Sequence, residues 1–462
     1  MAGARDPARC RGLVACWLQA GPAEQDEPEP ACARRCMTPL TFSSSADAPR
    51  QAARLVARTF RLDADTLAKL PGGVSSLMGD GARVWLHPGT QLVAHGVAAR
   101  LELPHGIEGG VAWIKETLAS IEAADAVGRP GCGPVALGAL PFDRTEPAAL
   151  VVPAQIVGAA PDGTAWVTTI GEGAAPAPHL ERAEGHRRSP DSFTLRSALP
   201  HEEWCGRVAR AVADIQQGAL SKVVLARAVD VEANRPIVVE EVLRRLTALY
   251  PSCAIFHVDG FLGASPELLL SRRGRAVSSH PLAGTYAVSA DVDADRRFAE
   301  VLRRSAKDQR EHRFVVDAVA AALAPECASL EVPSEPSILS LRNVMHLGTP
   351  IHGQLAEAAP DALTLAARLH PTPAVCGTPR QAAEAWLGAH EGIRRGLYAG
   401  LVGWVDARGD GDWFIGIRSA TVDGARARMV AGVGVVAGSN PEAELVETQL
   451  KLQAMLAAII RP

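Results

Sequence analysis

Two glutamates and a lysine share one face of the last predicted helix, where a charged ligand or a metal ion could contact them. Glu444, Glu447 and Lys451 lie within about 60° of one another at about 100° per residue. They border an apolar stripe, and the plainer interpretation is a solvated pair of Glu and Lys. The glycine-rich sequence at 431–435 favours a ligand site, because bare backbone admits a close approach.

A third glutamate, Glu311, lies on the same predicted helix face as Val315, Ala318 and Ala322. It should therefore point inward, and a buried carboxylate has to be paired, protonated or bound to a metal. Alone, it is most simply satisfied by an arginine or a backbone amide. Together with Glu447 it forms a pair of hard oxygen ligands, which is what Mg²⁺ usually takes from a protein.

Two further residues have the chemistry of an acid and a base. Glu267 follows the sequence GASP and opens the apolar run 268–270, surroundings that raise a carboxyl pKa and suit a proton donor. The alternative is an exposed glutamate at a strand end. Lys222 opens the β-rich run 223–229, where it is either a charge at the strand end or, if partly desolvated, a base.

Helices and strands have to position these residues. The periodicity predicts helices over residues 47–68, 110–127, 201–217 and 295–323. It predicts strands over 82–86, 165–170 and 222–229. The last helix should begin at Pro441, capped by Ser439 or Asn440.

The C-terminal third carries strand-like runs joined by short turns. The runs span residues 399–406, 413–421 and 427–436, and Gly- and Asp-containing turns separate them. Turns this short join antiparallel neighbours, so the pattern predicts a meander. Residues 171–200 are rich in Gly, Ala, Pro and charge, a composition typical of a surface loop or a linker.

The composition is that of a globular protein. The 462 residues are 47% hydrophobic and 21% charged, with a formal charge of −4, which disfavours binding to nucleic acid or to an acidic membrane surface. No apolar run approaches the roughly 20 residues of a membrane-spanning helix. The nine scattered cysteines fit a reducing cytoplasm. Residues 1–44 are Pro-, Ala- and charge-rich, which predicts a disordered tail.

Ten sequence blocks then identify a resemblance to the chorismate-utilising enzymes, and among them to the isochorismate synthases. In chain order the blocks are 222–227 (KVVLAR), 263–269 (GASPELL), 281–285 (PLAGT), 307–312 (KDQREH), 346–349 (HLGT), 370–375 (HPTPAV), 397–404 (LYAGLVGW), 417–420 (IRSA), 431–434 (AGVG) and 444–451 (ELVETQLK). Upstream, only residues 138–143 resemble the family.

The resemblance implies a role for each matching residue. Lys222 would be the general base that activates water, and Glu267 the general acid that protonates the departing hydroxyl. Glu311 and Glu447 would hold Mg²⁺, with Glu444 helping directly or through water. The residues expected to bind chorismate are Gly284, Thr285, His346, Ala374, Val375, Tyr398, Arg418, Gly432, Gly434 and Lys451.

Two positions distinguish the branches of this family. Water is a poor nucleophile that needs a base, so Lys222 indicates water chemistry. Aminodeoxychorismate synthases carry a nucleophilic lysine where this chain has Ala283, which cannot attack a substrate. The alternatives left open are a salicylate synthase, a menaquinone-pathway rather than siderophore-pathway synthase, and a catalytically dead chorismate-binding protein.

The resemblance also implies the architecture. We expect an α+β fold in which residues 45–462 form one large domain of two packed antiparallel sheets surrounded by helices. The catalytic motifs fall in residues 200–462, and the segment 171–200 becomes a loop inside that domain. The expected partner is the small molecule chorismate, with the chain a cytoplasmic monomer or weak homodimer.

Overall fold

The computed structural model describes residues 54–70, 72–79, 81–180, 188–288 and 291–460, which build two large β-sheets with helices around them. The predicted disordered tail, residues 1–44, lies outside the described residues. The α+β fold with two packed sheets is confirmed, and similar solved structures share it. No helix in the described part of the chain is long and apolar enough to cross a membrane.

The strands are short and mostly antiparallel. In chain order they are β1 Leu55–Arg61, β2 Arg83–His87, β3 Thr90–His95, β4 Ala99–Leu103, β5 Glu122–Asp125, β6 Val135–Leu140, β7 Ala148–Val152, β8 Gln155–Ala159, β9 Ala165–Glu172, β10 Phe193–Ser197, β11 Lys222–Ala233, β12 Ala254–Val258, β13 Phe261–Ser265, β14 Leu268–Arg273, β15 Ala276–Ser279, β16 Leu282–Ala287, β17 Cys327–Glu331, β18 Ser337–Ser340, β19 Val344–Gly348, β20 Ile351–Leu355, β21 Gly377–Thr378, β22 Leu401–Asp406, β23 Gly411–Ile415, β24 Ser419–Asp423 and β25 Arg426–Val435.

Nine α-helices lie within the described residues. They are α1 Ala64–Ala68, α2 Ala112–Ser120, α3 His201–Gln216, α4 Val239–Leu249, α5 Val292–Arg304, α6 Ala306–Leu323, α7 Ala362–Leu369, α8 Arg380–His390 and α9 Pro441–Ile459. Short 3₁₀ turns occupy Gly73–Leu77, Gly106–Gly109 and Ala324–Glu326.

The loop predicted over 171–200 is wrong at both ends, because β9 reaches Glu172 and Phe193–Ser197 form β10. Both large sheets combine strands from before and after this segment. The thirteen-stranded sheet runs β10-β11-β25-β24-β13-β12-β2-β3-β8-β9-β1-β5, with β21 added beside β11. The nine-stranded sheet runs β17-β20-β15-β14-β23-β22-β6-β7-β4, and β16-β19-β18 form a small third sheet. Every described pairing is antiparallel except that of β1 with β5. Neither sheet can therefore be completed by one half of the chain alone.

An aromatic core joins the two large sheets. Trp85 and Phe256 from the thirteen-stranded sheet pack with Trp404 and Phe414 from the nine-stranded sheet, and all four are buried. Aromatic side chains of this size supply much of the apolar area that a sheet interface buries. On the outer face of the thirteen-stranded sheet, helices α3, α4, α8 and α9 cover β11, β25 and their neighbours.

Several predicted elements differ from the structure. The helix predicted over 47–68 is wrong for the described residues, because 55–61 form β1 and only Ala64–Ala68 is helical. Residues 57–60 alternate between buried and exposed positions, and the strand pairs with β5 and β9, so pairing overrides the helical pattern. The helix predicted over 110–127 ends at Ser120, and the one over 295–323 breaks at Ser305, whose hydroxyl caps α6.

The predicted meander is divided between the two sheets. Strands β22 and β23 belong to the nine-stranded sheet, whereas β24 and β25 belong to the thirteen-stranded sheet. The chain crosses over at residues 416–418, and Arg418 has a left-handed backbone conformation there, with φ of 51°. A non-glycine residue with this φ is uncommon and concentrates at functional sites. The crossing therefore delivers one of the predicted site residues.

Candidate active site

The predicted functional residues meet in one small pocket where the sheets, α6 and α9 come together. The lining consists of Val224, Pro266, Glu267, Leu282, Ala283, Gly284, Thr285, Glu311, His346, Ala374, Val375, Tyr398, Ile417, Arg418, Gly432, Gly434, Glu447 and Lys451. This includes every predicted acid, substrate-binding and metal residue except Glu444. Lys222 lies directly behind the lining, and Glu444 lies next to it on α9.

Lys222 forms a buried ion pair with the predicted metal ligand Glu311. Its side chain is fully buried, and Nζ lies 3.0 Å from Glu311 Oε1. The contact is too poorly aligned for a hydrogen bond, and Nζ has no other hydrogen-bond acceptor among the described residues. A buried ammonium whose N–H groups lack acceptors costs free energy. Its presence here is therefore more readily explained by a role at the site than by stability.

Gly434 makes this ion pair possible. It lies on β25, opposite Val224 of β11. A Cβ atom at this position would overlap Glu311 Oε1 and come within 3.0 Å of Lys222 Cε. The glycine therefore leaves the space that the two charged side chains occupy, which gives a steric reason for the glycine-rich strand before α9.

Glu267 is a buried carboxyl group at the junction of β13 and β14. Its backbone is fixed on both sides, because Ile415 N–H donates to its carbonyl and Ser265 Oγ accepts from its N–H. Burial raises the pKa of Glu267 to about 7, even though Lys222, Lys451 and Arg418 act in the opposite direction. A carboxyl group with a pKa near 7 can hold a proton at neutral pH and give it up during a reaction.

Each of the three predicted metal ligands is bound by a lysine. Besides the Lys222–Glu311 pair, Lys451 Nζ lies 2.7 Å from Glu447 Oε1, and Lys307 Nζ lies 3.1 Å from Glu444 Oε1. Burial raises the pKa of the Glu444 carboxyl, and the neighbouring Glu447 adds to this effect. The carboxylates are close enough to repel one another, so this corner of the pocket favours positive charge.

Among the described residues, no three His, Cys, Asp or Glu side chains form a ready-made metal centre. The donors that are present are carboxylate oxygens, which are the ligands that Mg²⁺ and Ca²⁺ prefer. Magnesium needs only one or two of them, since water and substrate oxygens complete its shell. The donor chemistry therefore fits magnesium better than a softer metal such as zinc.

Arg418 and His346 form a cationic group on the wall of the pocket. His346 Nδ1 lies 2.7 Å from the carbonyl oxygen of Gly284, so it must be the donor in that bond. Its Nε2 is then the acceptor for Arg418 Nη2, 3.2 Å away. Burial, reinforced by Arg418, lowers the pKa of His346 to about 3, so the ring stays neutral. The histidine therefore orients the guanidinium without competing for an anionic ligand.

Tyr398 and Lys451 complete the polar wall beside the glycines of β25. Burial raises the pKa of Tyr398 to about 12, so its hydroxyl remains a hydrogen-bond donor. Lys451 Nζ donates to the carbonyl oxygen of Gly432 at 2.9 Å and forms an ion pair with Glu447. Together with Arg418, these groups present several N–H and O–H donors, which suits a ligand with carboxylates.

The sequence did not identify every residue of the site. Val224, Pro266, Leu282 and Ile417 also line the pocket, and period-two alternation from Lys222 would have found Val224. Lys307 belongs to one of the resembling blocks, but its pairing with Glu444 depends on how α6 packs beside α9. Pairings of this kind have no local signal in the sequence.

Comparison with known proteins places the chain in a family. A sequence profile for the family described as "chorismate binding enzyme" matches residues 83–460. The chain therefore belongs to the chorismate-binding enzymes. It is 40% identical to isochorismate synthase DhbC of Bacillus subtilis over 337 residues, which is 71% of this chain and 81% of that protein.

Other relatives agree with this placement. Isochorismate synthase EntC of Escherichia coli is 37% identical over 343 residues, covering 72% of this chain and 83% of EntC. The crystal structure of DhbC from Bacillus anthracis, assigned as a 2,3-dihydroxybenzoate-specific isochorismate synthase, matches with a TM-score of 0.72 at 35% identity. That match covers 83% of this chain and 97% of the other.

Replacing Glu267 with Gln should stabilise the protein, and by more at high pH. The ordinary pKa of a glutamate is 4.5, whereas in the fold that of Glu267 is about 7. Between pH 4.5 and about pH 7 the folded state binds more protons than the unfolded state. The free energy of unfolding therefore falls as pH rises through this range. At about 1.4 kcal/mol per pKa unit, the penalty that Gln removes is roughly 3 kcal/mol at pH 8.

The measurement is the melting temperature of both proteins in EDTA at pH 5 and pH 8. We expect the gain from Glu267→Gln to be clear at pH 8 and small at pH 5. Glu116, an exposed residue of α2, provides the matched Glu→Gln control. A gain that is the same at both pH values would contradict the raised pKa.

Proposed function

We propose that this chain is a magnesium-dependent isochorismate synthase. It adds water at C2 of chorismate and expels the hydroxyl group from C4, giving isochorismate. The observation that carries the proposal is the position of Lys222 and Glu267 around one pocket whose remaining walls offer carboxylates and anion-binding groups. A base, an acid, a metal corner and a carboxylate-binding wall are the four parts that this reaction needs.

Lys222 is proposed as the base, acting as a neutral amine: its ammonium form must first release a proton before Nζ can accept one from the attacking water. Its ammonium group is held by Glu311 and not by a network of hydrogen bonds, so Nζ can turn toward the pocket. Glu267 is proposed as the acid, because its pKa of about 7 leaves a proton available to the departing hydroxyl at neutral pH. Ala283 lines the same pocket and cannot form a covalent intermediate, which argues against the aminodeoxychorismate chemistry.

Glu311 and Glu447 are proposed as the magnesium ligands, with Glu444 supporting them directly or through water. Bound there, the ion supplies positive charge that fixes a substrate carboxylate and withdraws electrons from the ring. The lysine partners of the three glutamates support this proposal, because each carboxylate already pairs with a cationic group.

The enolpyruvyl carboxylate of the substrate is proposed to bind at the polar wall around Arg418. Arg418, held by His346, offers a planar fork that matches a carboxylate, and Tyr398 and Lys451 add donors beside it. Ala374, Val375 and the turn at Gly284 and Thr285 would contact the ring and the enolpyruvyl group. The similarity to DhbC leads us to propose that the isochorismate is made for 2,3-dihydroxybenzoate and a siderophore in the cytoplasm.

The purified protein should convert chorismate to isochorismate when Mg²⁺ is present, and EDTA should abolish the reaction. The products are separated by chromatography after short incubations, and added Mg²⁺ should restore activity to the EDTA-treated sample. If salicylate and pyruvate were the main products, the protein would be a salicylate synthase and the proposed function would be wrong. Chorismate binding without any turnover would indicate a protein that has lost catalysis.

Lys222→Ala should lose turnover while still binding chorismate. A positioned general base contributes about 10²- to 10⁴-fold to a rate, so kcat should fall within that range. Chorismate affinity, measured by calorimetry, should change far less because Lys222 lies behind the pocket lining. Lys69→Ala, an exposed lysine of the same size, is the control. If Lys222→Ala kept a turnover near that of the unaltered protein, the assignment of Lys222 as the base would be wrong.

A further inference from the structure

A second buried ion pair, between Glu391 and Arg395, lies directly behind two residues of the pocket wall. Both side chains are nearly inaccessible, with 5% and 3% of their surfaces exposed. Arg395 Nε donates to Glu391 Oε2 at 2.8 Å, and its Nη2 donates to Oε1 at 2.6 Å. This two-pronged contact fixes the plane of the guanidinium. Neither residue lines the pocket itself or belongs to the proposed acid, base or metal groups.

The remaining N–H groups of Arg395 bind the backbone of the pocket wall. Nη1 donates to the carbonyl oxygen of Val375 at 2.6 Å, and Nη2 donates to that of Val224 at 2.6 Å. Val224 and Val375 both line the pocket, from separate segments of the chain. One guanidinium therefore fixes two pieces of the wall relative to each other.

Glu391 connects the same group to the strand that carries the base. Its Oε1 accepts a hydrogen bond from Ala226 N–H at 2.9 Å, so β11 is held at Val224 and at Ala226. Lys222 precedes these residues on β11, and a one-residue shift of a strand would turn its side chain to the opposite face. The guanidinium also lies over the Phe142 ring, 4.2 Å from its centre, which connects it to the segment after β6.

Burying two charges costs several kcal/mol per ion, and an apolar pair of similar volume is often as stable. Stability alone therefore does not explain the Glu391–Arg395 pair. Its backbone hydrogen bonds go to the pocket wall at Val375 and to β11, the strand that carries Lys222. We propose that Arg395, held by Glu391, is a positioning residue that sets Lys222 against the Val375 wall for water addition. This inference rests on the proposed isochorismate synthase activity.

The chain supplies a closely matched control in Arg273. Its Nη2 lies 2.7 Å from Asp412 Oδ2, and its Nη1 donates to the backbone carbonyls of Arg272 and Gly411. Its guanidinium lies over the Trp404 ring, 5.1 Å from the centre. Arg273 therefore makes the same kinds of contact as Arg395, but none of its partners lines the pocket.

The test compares Arg395→Lys with Arg273→Lys under saturating Mg²⁺. Lysine keeps the charge but cannot bridge a carboxylate and two carbonyls at once. Misplacement of a catalytic group by about 1 Å costs up to about 100-fold, so Arg395→Lys should lower kcat by about 10- to 100-fold. KM for chorismate should change by less than about threefold, since the carboxylate-binding groups are untouched. Arg273→Lys should leave both constants within about twofold.

A second variant covers the case in which Arg395→Lys does not fold. Glu391→Gln keeps an acceptor for Ala226 N–H and loses the charge that orients the guanidinium, so kcat should again fall with KM nearly constant. Equal kinetic effects of the Arg395 and Arg273 variants, or unchanged kcat in Glu391→Gln, would overturn the inference. An unaltered protein that makes no isochorismate would instead reject the proposed function.

Discussion

The whole site depends on placing a buried ammonium, that of Lys222, against the single carboxylate of Glu311. The two residues come from a strand and a helix that are far apart in the sequence, and their charges meet only where Gly434 leaves room. Burial makes the pair sensitive to small displacements, because each charge loses its water and depends on the other. The antiparallel pairing of β11 with β25 and the packing of α6 therefore have to be accurate at this point.

The rest of the fold can be understood as meeting that requirement. The aromatic core holds the two large sheets together, and the chain crosses between them at Arg418, so that the anion-binding wall lines the same pocket as the carboxylates. The neutral ring of His346 holds the guanidinium, while burial gives Glu267 a pKa suited to proton donation. In the proposed reaction, acid, base and anion-binding groups thus owe their different properties to how deeply each is buried and to its neighbours.

The sequence predicted local features well and long-range partners poorly. The start of α9 at Pro441 and the alignment of Glu444, Glu447 and Lys451 follow from helical periodicity and capping alone, and the structure selects Asn440 from the two predicted caps. Residues 413–421 had to be divided between two sheets, and no local pattern marks the residue at which a chain changes sheets. The partners of Lys222, Lys307 and Arg395 could not be predicted from the sequence either, because each contact joins elements that only tertiary packing brings together.

In the proposed reaction, a water molecule from solvent adds to chorismate in this pocket. Turnover in H₂¹⁸O with Mg²⁺, followed by mass spectrometry of isochorismate after brief reaction, tests it most directly. We expect one ¹⁸O atom in the new hydroxyl group at C2, because the hydroxyl that leaves C4 is not the one that enters. Isochorismate that retains only ¹⁶O would mean that the hydroxyl migrates within the substrate, and Lys222 would then have no water to activate.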